Sequence, residues 1–413
     1  MLSIAPMIQW TDHHYRTLFR SISSHPTLYT EMIMDSALVH QHRINPTFPT
    51  IEPWLRCGPS EDPIAVQLGG GGHCDSPHSV NEATIETFCQ ASELVVAYGQ
   101  GHNAFPFKEL NVNSGCPSGK AVSRGFGADL MRLRSSDHTR ALLYQACRRV
   151  GNDVDVTLKC RIGCTEYNER PGKDARLGYD MLRSYVDSAV SAGVKKVVLH
   201  SRICVLNGFS TGKNRTVPPL AYDVTRRVAR DFPGIDVVVN GGVENLAMAE
   251  EILKGEYAGR NSGGEDELWG WREGENLEGC NPAGVMVGRW AYNDVCGMWD
   301  ADSRFYGKKD RDPTFRRILE EYFEHCEGLE SKNNKLDGLP NLVKPLHNVF
   351  CGLKGNKQYK QDLDQAVKEW GKGGGGKVGI REVVEDVLGR GHIKDEILEG
   401  PISAQRSKEN REE

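Results

Sequence analysis

The feature that most constrains this chain is a rhythm of short apolar, β-branched runs. They recur at residues 2–5, 27–31, 64–68, 107–112, 154–159, 196–200, 236–240 and 284–287. Helical patterns lie between most of them, at 80–98, 136–150, 179–192, 222–231 and 245–253. Eight strands alternating with helices predict a parallel sheet covered on both faces, and a chain of 413 residues is long enough to close it into a (β/α)8 TIM barrel. An open doubly wound sheet is the competing architecture, and the irregular connection 31–64 is the weakest link in the strand count.

Near residue 300 the rhythm stops, and helical patterns at 313–329, 340–350 and 357–370 predict a small C-terminal all-helical domain. The expected organisation is a catalytic barrel over 1–300 and a helical domain over 310–370. A Gly-rich linker with a polar, disordered tail is expected over 371–413. Three stretches read as loops or insertions: the four glycines at 69–72, taken as flexible, the polar 166–176, and the Gly-rich, acidic 255–281.

Composition removes several classes of function. Charged residues at 26% and aromatics at 8% describe an ordinary globular protein and exclude global disorder and fibrous repeats. No run of about 18 apolar residues exists, so no transmembrane helix is expected. Strand-like sequence begins at Leu2, leaving no room for a targeting peptide. The expected location is cytoplasmic, or organellar if a presequence stands upstream of Met1. Twelve cysteines without a CxxC pair or zinc-type spacing indicate reduced thiols and no metal. The formal charge is −5, so any nucleic-acid surface must be a local concentration of basic residues.

In a TIM barrel, chemistry is done at the C-terminal ends of the strands. Here those ends read Asn113-Ser-Gly-Cys-Pro117, Lys159-Cys-Arg-Ile-Gly163, His200-Ser-Arg202, Asn240-Gly-Gly-Val243 and Gly288-Arg289. Asn240, Gly241 and Gly242 precede a helix after the seventh strand, and Gly288-Arg289 follow the eighth. Backbone N–H groups at such turns suit a phosphate, although a mere tight turn would need the same glycines. Lys159 could face an anionic reduced flavin or pair with a carboxylate, and His200 could donate to a cofactor or satisfy a strand-end carbonyl. Cys116, between Gly115 and Pro117, could act as a general acid or be a structural thiol.

Together these residues carry a resemblance. Ala5-Pro-Met7, Trp10-Thr-Asp12, Leu28-Tyr-Thr-Glu-Met32, Gln67-Leu-Gly69, Leu110-Asn-Val-Asn-Ser-Gly-Cys-Pro117 and Lys159-Cys-Arg-Ile-Gly163 resemble the tRNA-dihydrouridine synthases. So do His200-Ser-Arg202, Asn214-Arg215, Pro218-Pro-Leu220, Asn240-Gly-Gly242 and Val285-Met-Val-Gly-Arg289. The Trp-Thr-Asp and Tyr-Thr-Glu-Met segments are similar to the A-type bacterial branch.

The resemblance implies FMN-dependent, NADPH-driven reduction of the C5=C6 bond of D-loop uridines near position 20/20a. FMN would be held by Ala5, Pro6, Met7, Gln67, Lys159, His200, Asn240, Gly241, Gly242, Gly288 and Arg289. Asn113 and Arg161 would border flavin and uracil, and Cys116 would be the proton donor. A monomer binding tRNA through Arg215, Lys344 and Lys357 is expected. The segment 341–361 carries Lys344, Lys354, Lys357 and Lys360 without an acidic residue, which also fits a solvated helical face. This chain has Lys344 and Lys357 where the branch favours arginine, and Gly212 where it usually carries lysine. The alternative activity is that of a small-molecule flavin oxidoreductase, which would not need the helical domain. A catalytically retired RNA-binding protein is a further alternative, set against an intact cofactor set and Cys116.

Overall fold

A computed structural model describes residues 1–72, 79–102, 107–166, 177–257, 277–330, 337–370 and 379–409. The strands are β1 (Leu2–Ile4), β2 (Thr27–Met34), β3 (Ile64–Gly69), β4 (Glu109–Ser114), β5 (Asp155–Arg161), β6 (Lys196–His200), β7 (Asp236–Asn240) and β8 (Gly284–Val287). They form a closed parallel barrel in which β1 pairs with both β2 and β8. This is the expected (β/α)8 TIM barrel, with a helical C-terminal region.

Runs such as Asp-Val-Val-Val-Asn in β7 are buried on both faces, which is why they read as near-continuous β-branched sequence. The inward-facing set supplies a small lumen core of Ala5, Tyr29, Ala65, Val198, Val238 and Met286. The outward set joins the helices in a much larger core. Helix boundaries follow local chemistry. Asn81 caps α3 (Glu82–Ala97) by accepting from the Thr84 N–H, and Asn245 caps α7 (Leu246–Lys254) through Met248. In α4 (Ser136–Val150) the residues His138, Leu142, Ala146 and Val150 line a buried stripe at helical spacing. α5 (Tyr179–Ser191) and α6 (Tyr222–Asp231) fall where their periodicity placed them.

Two structural units differ from the simple division by chain order. The first holds 1–7, 27–58 and 63–288; the second holds 8–26, 59–62 and 289–413. Thus α1 (His13–Ile22), although it follows β1, belongs with the C-terminal helices. Glu61 ties residues 59–62 to this helix: it is fully buried and accepts from Arg16 Nε at 2.6 Å, with His13 Nδ1 also at 2.6 Å. An unpaired carboxylate could not stay there. His14 lies 3.3 Å from His325 on α8 (Phe315–Glu330), and Tyr15 donates to the Ala291 carbonyl. The helix expected over 340–350 is instead a short α-helix, Leu339–Val343, with Pro340 in its first turn, followed by a 3₁₀ turn, Lys344–Asn348, whereas α9 (Asn356–Trp370) lies where it was expected.

Three expectations are corrected. The connection 31–64 contains α2 (Asp35–Ile44), which buries Asp35, Leu38 and Val39. The glycine run is not a flexible loop: its residues are buried, the Gly71 N–H donates to Asp35 Oδ2 at 2.7 Å, and a side chain at Gly70 would run into Asp35. The tail is also ordered in part. α10 (Ile380–Gly389) buries Val383, Val384 and Val387, and α11 (Ile402–Glu409) is anchored by buried Ile402. The expected linker at 371–376 lies outside the described residues, as do 167–176 and 258–276 of the expected insertions. No described helix is long and apolar enough to cross a membrane.

Candidate active site

Parallel register brings the polar strand ends of the first unit together. Asn113 stands opposite Lys159, Arg161 opposite His200, and His200 opposite Asn240. Each therefore sits at the C-terminal end of its strand, where loops rather than side-chain layers close the barrel.

Asn113 organises the loop after β4. Its Oδ1 accepts the N–H groups of Gly115 at 3.1 Å and Cys116 at 3.0 Å, while its Nδ2 donates to Gln67 Oε1 at 2.8 Å. Arg161 reaches the same loop, donating from Nε to the Gly115 carbonyl at 3.3 Å and from a terminal nitrogen to the Asn214 carbonyl at 2.8 Å. The Ala128 N–H donates to the Cys116 carbonyl, so the backbone of Cys116 is held from both sides while the residue stays partly accessible.

Lys159 donates to Asn240 Oδ1 at 3.0 Å, and Asn240 Nδ2 donates to the Met286 carbonyl at 2.8 Å. Desolvation, reinforced by the Arg161 charge, lowers the Lys159 ammonium to about 8. Burial also holds His200 well below the usual imidazole range, and Arg161, Lys159, Arg202 and Arg215 act in the same direction. His200 is therefore neutral at pH 7, and its buried Nδ1 has no hydrogen-bond partner. Four cations converging on a neutral imidazole with an unused nitrogen make a site suited to an anion.

Gly241 shapes this site. Its φ is +106°, and a Cβ there would lie 2.9 Å from His200 Nε2. Only glycine permits both that backbone and that approach. Ala5 is buried in the lumen core, Met7 packs against it, and Pro6 lies between them at the end of β1. Gly288 closes the first unit after β8.

The dihydrouridine synthase (Dus) family model matches residues 3–259, more than half of the chain. The tRNA-dihydrouridine(20/20a) synthase of Pseudomonas aeruginosa is 30% identical over 363 residues, covering 87% of this chain and 88% of that protein. The Xanthomonas axonopodis pv. citri protein of the same name is 28% identical, covering 94% of this chain and 93% of its own length. The chain belongs to the dihydrouridine synthase family.

Among the family-motif residues, Arg202 is one that sequence reasoning left out of the site. It acts on His200 electrostatically, and its terminal nitrogen donates to the Pro218 carbonyl. Its signal was available in the strand-end His-Ser-Arg triplet. Buried Asn214 is a second omission: its side chain accepts from the Val205 N–H and donates to the Val205 carbonyl, both at 2.8 Å, securing the turn that carries exposed Arg215. Arg289 opens the C-terminal segment of the second unit. Lys344 is half-buried and Lys357 exposed in that unit, where Lys360 donates to Asn348. Among the described residues no cluster of three or more His, Cys, Asp or Glu side chains could hold a metal ion.

Proposed function

We propose that this chain reduces D-loop uridines at tRNA position 20 or 20a to 5,6-dihydrouridine, with FMN as prosthetic group and NADPH as reductant. The carrying observation is the convergence of Lys159, Arg161, Arg202 and Arg215 on His200, whose buried Nδ1 has no hydrogen-bond partner, at a barrel mouth of this family. The relatives named tRNA-dihydrouridine(20/20a) synthase, matched along most of their length, support the substrate and position.

The residues fit a flavin phosphate. The orphaned His200 nitrogen and the desolvated Lys159 suit an anionic, hydrogen-bonding ligand, and Gly241 lets the backbone pass close beside that imidazole. Asn240, Gly241, Gly242, His200, Gly288 and Arg289 would hold it, with Ala5, Pro6, Met7, Gln67 and Asn113 bordering its ring. Lys159 would balance negative charge on that ring. FMN, when bound, supplies hydride to an electron-poor carbon, here uracil C6.

The chain's own residues do the rest. The target base must leave the tRNA stack to reach a barrel mouth. Arg161 and Asn113 hold the loop of Cys116, and the Cys116 thiol keeps the proton that C5 takes. Arg215, Lys344 and Lys357 would contribute phosphate contacts, which position RNA without reading its sequence. Acting on tRNA, the chain would work in the cytoplasm.

The test is Cys116→Ala. It should retain FMN and lose about 10²–10⁴-fold in dihydrouridine formation, the usual weight of a positioned proton donor. A Cys116→Ala enzyme that turns over at the wild-type rate overturns the assignment.

A further inference from the structure

Below the mouth, the barrel lumen carries a hydrogen-bonded series of polar side chains: Gln67 from β3, Glu109, Asn111 and Asn113 from alternate positions of β4, and Thr157 from β5. At its base Glu109 pairs with Lys196, whose Nζ donates at 2.6 Å, and both Tyr29 and Thr157 donate their hydroxyl protons to the Glu109 carboxylate. Thr157 accepts from Asn111 Nδ2 at 2.7 Å. Asn111 Oδ1 accepts from Gln67 Nε2 at 2.7 Å, and Gln67 Oε1 accepts from Asn113 Nδ2 at 2.8 Å. Asn113 Oδ1 is thereby left facing the N–H groups of Gly115 and Cys116.

Every bond in this series points the same way, and the base explains why. A primary amide can be turned to exchange its donor and acceptor ends, so amides alone do not choose a direction. A carboxylate paired with Lys196 offers acceptors only. Thr157 must therefore donate downward and accept from above, and each amide follows in turn. If Asn113 were turned over, its NH₂ would face two backbone N–H groups, and the loop of Cys116 would lose its anchor.

The geometry points to Glu109 and Thr157 as positioning residues: through Asn111 and Gln67 they lock the amide of Asn113 and so hold the Cys116 loop, from the opposite end of the barrel lumen. The catalytic meaning of that lock rests on Cys116 being the proton donor proposed above, whereas the lock itself can be read without turnover.

The experiment measures the rate of Cys116 alkylation by iodoacetamide at fixed pH in the cofactor-free full chain, by mass spectrometry of the Cys116 peptide, with the Cys280 peptide as internal control. Thr157→Val removes the hydroxyl at constant shape and should speed Cys116 alkylation about tenfold, the weight of one buried hydrogen bond. Thr157→Ser should restore it to within about twofold, because the hydroxyl alone carries the relay. Tyr29→Phe also removes a hydroxyl from Glu109 but lies off the relay, so it should lower thermal stability and leave Cys116 unchanged. Glu109→Gln reads the lock from its base, since its amide can donate where the carboxylate cannot, and should act like Thr157→Val. It serves in place of Thr157→Val if that variant does not fold. Wild-type alkylation in folded Thr157→Val or Glu109→Gln overturns the proposal, as does an equal change in Tyr29→Phe. None of these results depends on whether Cys116→Ala is active.

Discussion

Two glycines of the barrel mouth invite opposite outcomes from the same substitution. At Gly241 the backbone is at φ +106°, and an added methyl would stand 2.9 Å from His200 Nε2 and 3.0 Å from its Cδ2. An L-residue in left-handed backbone costs about 1–2 kcal/mol, and overpacking a filled site typically costs a further 1–3 kcal/mol. Gly241→Ala should therefore destabilise the barrel by about 2–5 kcal/mol. At Gly288 the nearest atoms to an added methyl are Ala5 Cβ at 3.9 Å and Met7 Sδ at 4.0 Å, which is ordinary contact. Gly288→Ala should cost less than about 0.5 kcal/mol. Urea denaturation of the cofactor-free variants, followed by circular dichroism, measures both, and FMN titration should show weaker binding for Gly241→Ala if the displaced group is His200. Equal stability of the two variants would refute the claim that Gly241 is required by its approach to the imidazole.

Other consequences are as direct. Lys159 releases its proton near pH 8 in the fold but near pH 10.4 when unfolded. The unfolded chain thus holds more protons between those values, and stability rises with pH across that window. Replacing Lys159 by Met should abolish that share of the rise, seen by comparing denaturation midpoints at pH 7.5 and 9.5. Glu61→Ala strands buried Arg16 and should cost about 3–5 kcal/mol in a thermal or chemical melt. An unchanged transition would show that the second unit does not depend on that pair. Lys344→Glu with Lys357→Glu should weaken tRNA binding and reduce the slope of log K against log salt by about 2, one for each lost phosphate contact. Binding and slope equal to wild type would make these lysines a solvated face.

How much was legible in the sequence varied with how local the cause was. β6 and β7 coincide with their predicted ranges because consecutive β-branched residues mark a strand buried on both faces. α4 was equally clear, since its buried stripe repeats at helical spacing. The strand-end residues could be named because barrel topology places them. What escaped depended on contacts remote in sequence. α2 buries little apolar surface among polar and histidine residues, so its period is faint. The glycines at 69–72 look flexible until Asp35 closes on Gly70 and Gly71 from another element. In α10 the spacing of Val383, Val384 and Val387 was present, but it followed a glycine-rich stretch that suggested a tail. Membership of α1 in the second unit shows in His14 meeting His325 and Tyr15 meeting the Ala291 carbonyl, contacts remote in sequence that no local pattern encodes. The lumen series left a trace in Glu109, Asn111 and Asn113 alternating along one strand, yet its direction follows from groups outside that pattern, the Thr157 hydroxyl donating to the carboxylate at its base among them.

The central claim is that the mouth of this barrel reduces a tRNA uridine. Unmodified tRNA should be incubated with the full chain, FMN and NADPH, and each D-loop uridine then read by mass spectrometry for a gain of two hydrogens. That gain is expected at position 20 or 20a, dependent on NADPH and on Cys116. A flavin-loaded enzyme that oxidises NADPH while every D-loop uridine stays unreduced would contradict it.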